Sequence, residues 1–154
     1  MRSRRGRHLG GNRVAAEIFV DTSAWYPAVT RSHPDHTAVA RALRDRVRAG
    51  TRVVTTNLVV AETHALLLRR VGRDQAMAFI AGIGNAPNLV VTSTRDLERA
   101  AQLDWLERFD DQAFSLTDAV SFAVMAERGI TEALTLDRHF RTAGYRTIPA
   151  SRSP

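Results

Sequence analysis

Cysteine is absent from this chain of 154 residues, which excludes disulfides, thiolate zinc sites and cysteine nucleophiles. Lysine is absent as well: all 22 basic residues are arginine, so chemistry that requires a lysine amine is excluded. The sequence has neither a glycine-rich phosphate loop nor the G-x-S-x-G turn of serine hydrolases. No apolar run approaches the ~18 residues of a membrane span, and no apolar stretch follows the basic N-terminus as in a signal peptide. We therefore expect a cytoplasmic protein without a membrane partner.

Positive charge is concentrated at the N-terminus. The net charge of the chain is +6, and residues 1–13 contribute five arginines and no acidic residue. The rest of the chain has 17 arginines against 16 aspartates and glutamates, so it is almost neutral. We interpret residues 1–16 as a basic, disordered arm, residues 17–150 as one globular domain and residues 151–154 as a tail. A hydrophobic content of 44% is typical of a globular domain.

Strand and helix patterns alternate along the domain. Short runs rich in valine, isoleucine and threonine predict five strands, at residues 17–21, 52–56, 88–92, 132–137 and 145–149. Capping residues and glycine stops predict the helices between them, at residues 24–29, 32–50, 57–70, 73–82, 93–109, 115–128 and 138–143. This alternation predicts an α/β fold with a mainly parallel sheet of about five strands.

Four acidic residues occupy positions where a soluble fold rarely places an isolated charge: Asp21, Glu62, Asp118 and Asp137. Asp21 and Asp137 each end a predicted strand, and parallel sheets bind ligands beyond the carboxyl ends of their strands. If those two strands are neighbours, the two carboxylates share one crevice. Asp118 and Glu62 lie on predicted helices, among mostly apolar neighbours three and four residues away, so both are expected to point inward.

Each of these acids also has a purely structural explanation. Asp21 and Asp137 could be helix N-caps, and Asp118 fits a capping box begun by Ser115. Glu62 could form a buried ion pair with an arginine. A single metal site explains all four together, because carboxylates are rarely buried unless they are paired or bind a cation.

The chemistry of such a site follows from its oxygen ligands. Oxygen ligands favour Mg²⁺, with Mn²⁺ as a possible substitute, over zinc. Two carboxylates ~4 Å apart repel by about 4 kcal/mol at an effective dielectric of about 20, so a cluster of them requires a cation. A bound Mg²⁺ activates water and stabilises charge on phosphoryl oxygens, which is the basis of phosphodiester hydrolysis. The five histidines show no metal-ligand spacing; they are His8, His33, His36, His64 and His139.

The chain resembles the PIN-domain nucleases, and among them the VapC-type toxins of type II toxin–antitoxin modules, in four segments that occur in order. The segments are Ile18–Ala24 (IFVDTSA), Thr56–Glu62 (TNLVVAE), Ser115–Ala119 (SLTDA) and Leu134–Phe140 (LTLDRHF). The resemblance implies a three-layer α/β/α PIN-like domain. It also implies Mg²⁺-dependent ribonuclease activity, with all four acids as catalytic and metal-binding residues.

Further properties are implied by the same resemblance. The hydroxyls of Thr22, Ser115 and Thr135 would orient the carboxylates. The chain would form a homodimer and pair with a cognate antitoxin that blocks the site. The basic arm departs from the family, whose members usually begin just before the first strand.

The function predicted from the sequence is that of an Mg²⁺-dependent endoribonuclease, the toxin of a type II module. Asp21 and Asp118 are expected to hold the metal most directly, while Glu62 and Asp137 complete the pocket and position the attacking water. One alternative is a non-catalytic RNA-binding PIN-like module that holds RNA with its arm. Another is a phosphatase with Asp21 as nucleophile. Haloacid-dehalogenase-type phosphatases normally carry a second aspartate two residues on, where this chain has Ser23.

Overall fold

The computed structural model describes residues 14–150, along which strands and helices alternate. The strands are β1 (Glu17–Val20), β2 (Arg52–Thr56), β3 (Asn88–Val91), β4 (Glu132–Leu134) and β5 (Arg146–Ile148). The helices are α1 (Thr22–Val29), α2 (His36–Arg48), α3 (Asn57–Arg70), α4 (Arg73–Ile83), α5 (Arg95–Ala101), α6 (Leu116–Arg128) and α7 (His139–Thr142). A π-helical segment, Gln102–Glu107, continues α5.

The expected N-terminal arm and C-terminal tail fall mostly outside this range. Residues 1–13 and 151–154 lie outside the described residues. Within the range, the carbonyl of Ala16 accepts a hydrogen bond of 2.8 Å from the N–H of Arg52. None of the helices in the described range is long and apolar enough to cross a membrane.

The five strands form one parallel sheet in the order β3-β2-β1-β4-β5. The chain moves outward from β1 through β2 to β3, crosses back to β4 and finishes at β5. The direction therefore reverses between β1 and β4, where Val20 pairs with Leu134. At such a switch point the connections leave on opposite faces of the sheet, and a crevice opens beyond the carboxyl ends of the strands. Asp21 follows β1 at this point.

The helices cover both faces of the sheet. Right-handed crossovers place α1–α4 on one face and α5–α7 on the other. In agreement, α1 packs against α2 and α3, whereas α6 packs against α5, the π-helical segment and α7. The central strands are buried on both faces, as Phe19, Val54 and Leu134 illustrate. The α/β prediction is confirmed.

Short polar side chains begin the helices that carry the predicted acids. Asp21 caps α1 by accepting a hydrogen bond from the N–H of Ser23. Ser115 caps α6, and both hydrogen bonds of a capping box with Asp118 are present. Gly129 ends α6 at φ 69°, a left-handed conformation that glycine adopts without steric cost. The helix-cap explanations for Asp21 and Asp118 are therefore correct descriptions of their local geometry.

Two predicted boundaries are wrong by more than two residues. Helix α2 begins at His36 and not at residue 32, because turns occupy the preceding segment: the N–H of His33 donates to the carbonyl of Thr30. Strand β4 stops at Leu134 and does not reach Asp137, because the N–H of Asp137 turns back to the hydroxyl of Thr135. Asp137 therefore lies on a loop beyond the sheet.

One predicted helix is divided. The expected helix over residues 93–109 is α-helical only as far as Ala101 and then widens into the π-helical segment. Trp105 in that segment packs against Phe122 of α6, with ring centroids 5.0 Å apart. The wider turn coincides with the position at which this large ring contacts α6.

Candidate active site

Asp21 lies directly after β1 and is buried, with 4% of its surface exposed. Its Oδ2 accepts hydrogen bonds from the Ser23 N–H at 3.3 Å, from Ser23 Oγ at 2.9 Å and from Thr135 Oγ1 at 3.2 Å. The residue thus caps α1 and points into the switch-point crevice at the same time. These three hydrogen bonds fix the orientation of the carboxylate through Oδ2.

The environment of Asp21 opposes its negative charge. Burial raises the pKa of Asp21 to about 6 from the ordinary value of 3.8. Repulsion from the Asp118 carboxylate adds to the increase, whereas hydrogen bonds from Ser23 and from the backbone of Thr22 oppose it. The two carboxylates therefore share one electrostatic environment, and a cation beside them would lower this pKa.

Two hydroxyls join the end of β1 to the loop after β4. Thr135 Oγ1 donates to Asp21, lies 3.0 Å from Ser23 Oγ and accepts a hydrogen bond of 2.9 Å from the N–H of Asp137. Ser23 Oγ in turn accepts a hydrogen bond of 2.9 Å from the N–H of Leu136. The expected role of the Thr135 hydroxyl in orienting a carboxylate agrees with this geometry. The contribution of Ser23 was not foreseen.

Asp118 is buried in the first turn of α6. Its N–H donates to Ser115 Oγ at 3.0 Å, and its Oδ2 accepts from the Ser115 N–H at 3.1 Å. The expectation that the Ser115 hydroxyl orients this carboxylate is wrong, because the hydroxyl binds backbone and the backbone N–H of Ser115 binds the carboxylate. The capping box therefore fixes the side chain that was predicted to hold a metal.

His139 brings Asp118 and Asp137 together. Its Nδ1 lies 3.2 Å from Asp118 Oδ2 and 3.6 Å from Asp137 Oδ1, and its N–H donates to the same Asp137 oxygen at 2.9 Å. One ligand atom from each of the three residues lies within 4.8 Å of the others, a spacing that a single ion can bridge. His139 was not among the residues predicted for the site. The available signal was its position two residues after a predicted site acid.

Glu62 departs from its predicted environment, because it is exposed and does not point into the core. The buried stripe of α3 passes instead through Val59, Thr63 and Leu67, and Glu62 lies beside it. The inward prediction relied on the apolar character of neighbouring side chains, of which Ala65 is itself exposed. The alternative of a buried ion pair is also wrong, since the Glu62 side chain is exposed.

The Glu62 carboxylate is nevertheless connected to the site. Its Oε2 accepts a hydrogen bond of 3.1 Å from the hydroxyl of Thr22, the residue that follows Asp21. The expected role of Thr22 as a hydroxyl that orients a carboxylate agrees with this contact. Glu62 therefore lies at the rim of the crevice.

The fold thus gathers three of the four predicted acids, Asp21, Asp118 and Asp137, in one crevice and holds Glu62 at its rim. Each of the four comes from a different part of the chain: the residue after β1, the loop after β4, the first turn of α6 and the middle of α3. Carboxylate oxygens dominate the donor set, which fits a hard divalent cation such as Mg²⁺ or Mn²⁺. A cation would also offset the repulsion between Asp21 and Asp118.

Comparison with known proteins identifies the family of the chain. The family model of the PIN domain matches residues 18–144. The chain belongs to the PIN-domain family. The match spans the four motifs on which the resemblance was based, from β1 to the end of α7, so the predicted family is confirmed.

This PIN domain has curated relatives that are named ribonucleases. It is 38% identical over 128 residues to the 23S rRNA-specific endonuclease VapC20 of Mycobacterium tuberculosis. The aligned region covers 83% of this chain and 95% of that protein. It is 32% identical over 124 residues to the ribonuclease VapC13 of Mycobacterium tuberculosis, which covers 80% of this chain and 92% of the relative.

A solved structure of the same relative has the same fold. The crystal structure of Mycobacterium tuberculosis VapC20, described as a toxin that cleaves the sarcin–ricin loop, matches this PIN domain with a TM-score of 0.74 at 38% identity. The match covers 83% of this chain and 95% of the other. The likeness extends over almost the whole described domain.

Proposed function

We propose that this PIN domain is an Mg²⁺-dependent endoribonuclease and the toxin of a type II toxin–antitoxin pair. The main observation in support of this proposal is that Asp21, Asp118 and Asp137 converge at the switch point of the sheet. This convergence occurs in a chain that is 38% identical to a protein named as an rRNA endonuclease. Acids alone could belong to many hydrolases, and the relative alone says nothing about this site, so the two observations support the proposal together.

Asp21, Asp118 and Asp137 would hold the cation, and the residues around them fit that role. Oδ2 of Asp21 is held by Ser23 and Thr135, and Oδ2 of Asp118 is held by the backbone of residue 115. Carboxylates fixed in this way need little rearrangement to present their second oxygens. Bound Mg²⁺ would supply Lewis-acid stabilisation of phosphoryl charge and an acidified water.

Glu62 has a separate role in the proposal. It is the exposed member of the four and is held by Thr22, one residue from Asp21. A carboxylate at the rim can accept a hydrogen bond from the attacking water, whereas Asp21 is too deeply buried to meet solvent freely. Glu62 and Asp137 together would position that water against the scissile phosphate.

The proposal includes the partners expected of such a toxin. RNA is the substrate, a homodimer is the assembly, a cognate antitoxin is the inhibitor, and the cytoplasm is the location. Helices α3 and α4 and the turn between them expose large apolar side chains that are candidates for a protein contact: Leu68, Val71, Met77 and Ile80. Light scattering on the purified chain tests the dimer, since a monomer at micromolar concentration would contradict it.

Cleavage of RNA with and without chelator tests the function. The first substrate is an end-labelled fragment of 23S rRNA that contains the sarcin–ricin loop, because the relative is named for this activity. We expect internal cleavage with Mg²⁺ and none with excess EDTA. Binding of RNA without cleavage favours the non-catalytic module. Release of phosphate from p-nitrophenyl phosphate without RNA cleavage favours the phosphatase alternative.

A further inference from the structure

The position of His139 is set from three sides. Phe140, the next residue, is fully buried and packs against Phe122 with ring centroids 4.9 Å apart, which anchors α7. The His139 ring meets the ring of Phe114 edge to face at 5.3 Å. Its backbone N–H donates to Asp137 Oδ1 at 2.9 Å. The imidazole is therefore held in place by contacts on its ring and on its backbone.

One residue thus touches two of the proposed metal-binding acids, and it does so with two different donors. The backbone N–H binds Asp137, and Nδ1 lies 3.2 Å from Asp118 Oδ2. Both polar contacts of Nδ1 within the described residues are to carboxylate oxygens, the second being Asp137 Oδ1 at 3.6 Å. Ionised carboxylates only accept hydrogen bonds, so the proton of the ring belongs on Nδ1. A protonated Nδ1 donates and cannot coordinate a metal.

We propose that His139 is a positioning residue that sets the separation of the Asp118 and Asp137 carboxylates through its Nδ1–H and its backbone N–H. This role rests on the proposed function of the site. It differs from the role of a metal ligand, in which the Nδ1 lone pair would face the ion. It also differs from a purely structural role, in which the packing of the ring against Phe114 is important and the Nδ1–H donor is not.

Three substitutions of His139 separate these roles. His139→Asn places an amide nitrogen where Nδ1 lies and keeps the donor. His139→Phe keeps a ring against Phe114 and removes the donor. His139→Gln is polar but places its amide where Nε2 lies, out of register with Asp118. Thermal melts establish that each variant is folded, and if the phenylalanine variant fails to fold, the glutamine variant replaces it as the donor-free form.

The main readout is the dissociation constant of Mn²⁺ and of Mg²⁺, measured by calorimetry on the full metal-free chain. Loss of a residue that orients metal ligands typically weakens metal binding ~10–100-fold. We expect His139→Phe and His139→Gln to weaken the binding of both ions by the same factor, within this range. His139→Asn should keep the affinity for both ions within ~3-fold of the wild type. Steady-state RNA cleavage should show a lower kcat at an unchanged KM for the variants that lack the donor.

Several results would overturn the role of His139. If His139→Phe had the metal affinity and the kcat of the wild type, packing against Phe114 would be the only remaining role of the His139 ring. Equal losses in the asparagine and phenylalanine variants would mean that the donor is irrelevant. A larger loss for Mn²⁺ than for Mg²⁺ would identify a nitrogen ligand, since imidazole suits transition metals better than Mg²⁺. A wild-type chain that binds neither ion and cleaves no RNA would overturn the proposed function itself.

Discussion

Asp21 meets two requirements with one side chain. It caps α1 through Oδ2, and it carries a negative charge in a buried position. The rise of its pKa from 3.8 to about 6 corresponds to about 3 kcal/mol of destabilisation at neutral pH, at ~1.4 kcal/mol per pKa unit. A residue that only capped a helix would not need this burial, so the unfavourable charge is consistent with a site for a cation.

The unfavourable charge of Asp21 should be visible in how the free energy of unfolding of the metal-free protein depends on pH. Because the folded-state pKa exceeds the ordinary value, the folded chain binds more protons than the unfolded chain between pH 3.8 and about 6. The Asp21 contribution to the free energy of unfolding is thus fully present below this interval and is lost as pH rises through 6. Asp21→Asn, which carries no charge, should be more stable than wild type by up to about 3 kcal/mol near pH 7.5 and about equal to it near pH 4.

Urea unfolding at both pH values measures this difference in EDTA. Asp45→Asn is the matched control, since Asp45 is exposed on α2 and the same charge change there should leave stability within about 0.5 kcal/mol. A variant of Asp21 that is less stable than wild type at neutral pH would show that its hydrogen bonds outweigh its buried charge.

Glu62 should behave in the opposite way. Since it is exposed, Glu62→Gln should change the free energy of unfolding by less than about 0.5 kcal/mol, and the glutamine can still accept from Thr22. We expect RNA cleavage to fall by ~10-fold or more, because the amide is a far weaker base than the carboxylate. The control is Glu127→Gln at an exposed position on α6. Full activity in Glu62→Gln would remove this residue from the site.

The sequence could predict the placement of two of these acids because local patterns determine them. A strand end places Asp21, and the first turn of an apolar helix places Asp118. The environment of Glu62 was not predictable in this way, because its apolar neighbours do not coincide with the buried stripe of α3. His139 was missed because its role depends on contacts with a residue 21 positions earlier, which no spacing rule encodes.

At the scale of elements, the start of α6 is where helix capping and site geometry coincide. Ser115 supplies both halves of its interaction with Asp118: the hydroxyl accepts from the backbone and the backbone N–H donates to the carboxylate. A substitution can therefore remove one half and keep the other. The sequence predicted this capping box, and the structure assigns its two hydrogen bonds to different tasks.

Ser115→Ala separates these tasks. Loss of the N-cap hydroxyl should lower the free energy of unfolding by about 1 kcal/mol. RNA cleavage should stay within ~3-fold of wild type, because the backbone N–H that binds Asp118 remains. Ser115→Thr, which keeps a capping hydroxyl, is the control. Unfolding in urea and single-turnover cleavage are the measurements, and a loss of cleavage without a loss of stability would contradict this division.

Element boundaries were less predictable than element types. The pattern for β4 continues through Leu136, yet pairing with β1 ends at Leu134 and Leu136 is exposed. Hydrophobic alternation marks which residues can be buried, but hydrogen bonds to the neighbouring strand decide where the strand ends. The turn at Asp137 depends on Thr135 and, through it, on Ser23 from another element. That contact could not be read from the local sequence.

At the scale of the whole molecule, the N-terminal positive charge and the four candidate acids lie in different parts of the chain. Residues 1–13 carry five arginines and no acid, while the four site acids all lie in the folded domain. Basic segments bind phosphates without sequence preference and release counterions, which makes affinity depend on salt. The arm and the site should therefore be separable by experiment.

Deletion of residues 1–13 should weaken RNA binding at low salt and reduce the slope of affinity against salt concentration. With saturating RNA, the cleavage rate should remain unchanged. Binding is measured at several salt concentrations with a labelled RNA for the full chain and the shortened chain. Identical salt slopes would exclude the arm as an RNA contact, and loss of the saturated rate would place part of the active site within it.

The most direct test of the central claim is the rate of RNA cleavage by Asp118→Asn at saturating Mg²⁺. Asp118 contacts His139, and its charge adds to the effect of burial in raising the pKa of Asp21, so it connects two parts of the proposed site. We predict a rate at least ~100-fold below wild type, since even partners of metal ligands contribute ~10–100-fold. The variant should melt at or above the wild-type temperature without metal, and Asp45→Asn should cleave normally. Cleavage at the wild-type rate by a folded Asp118→Asn would contradict the account.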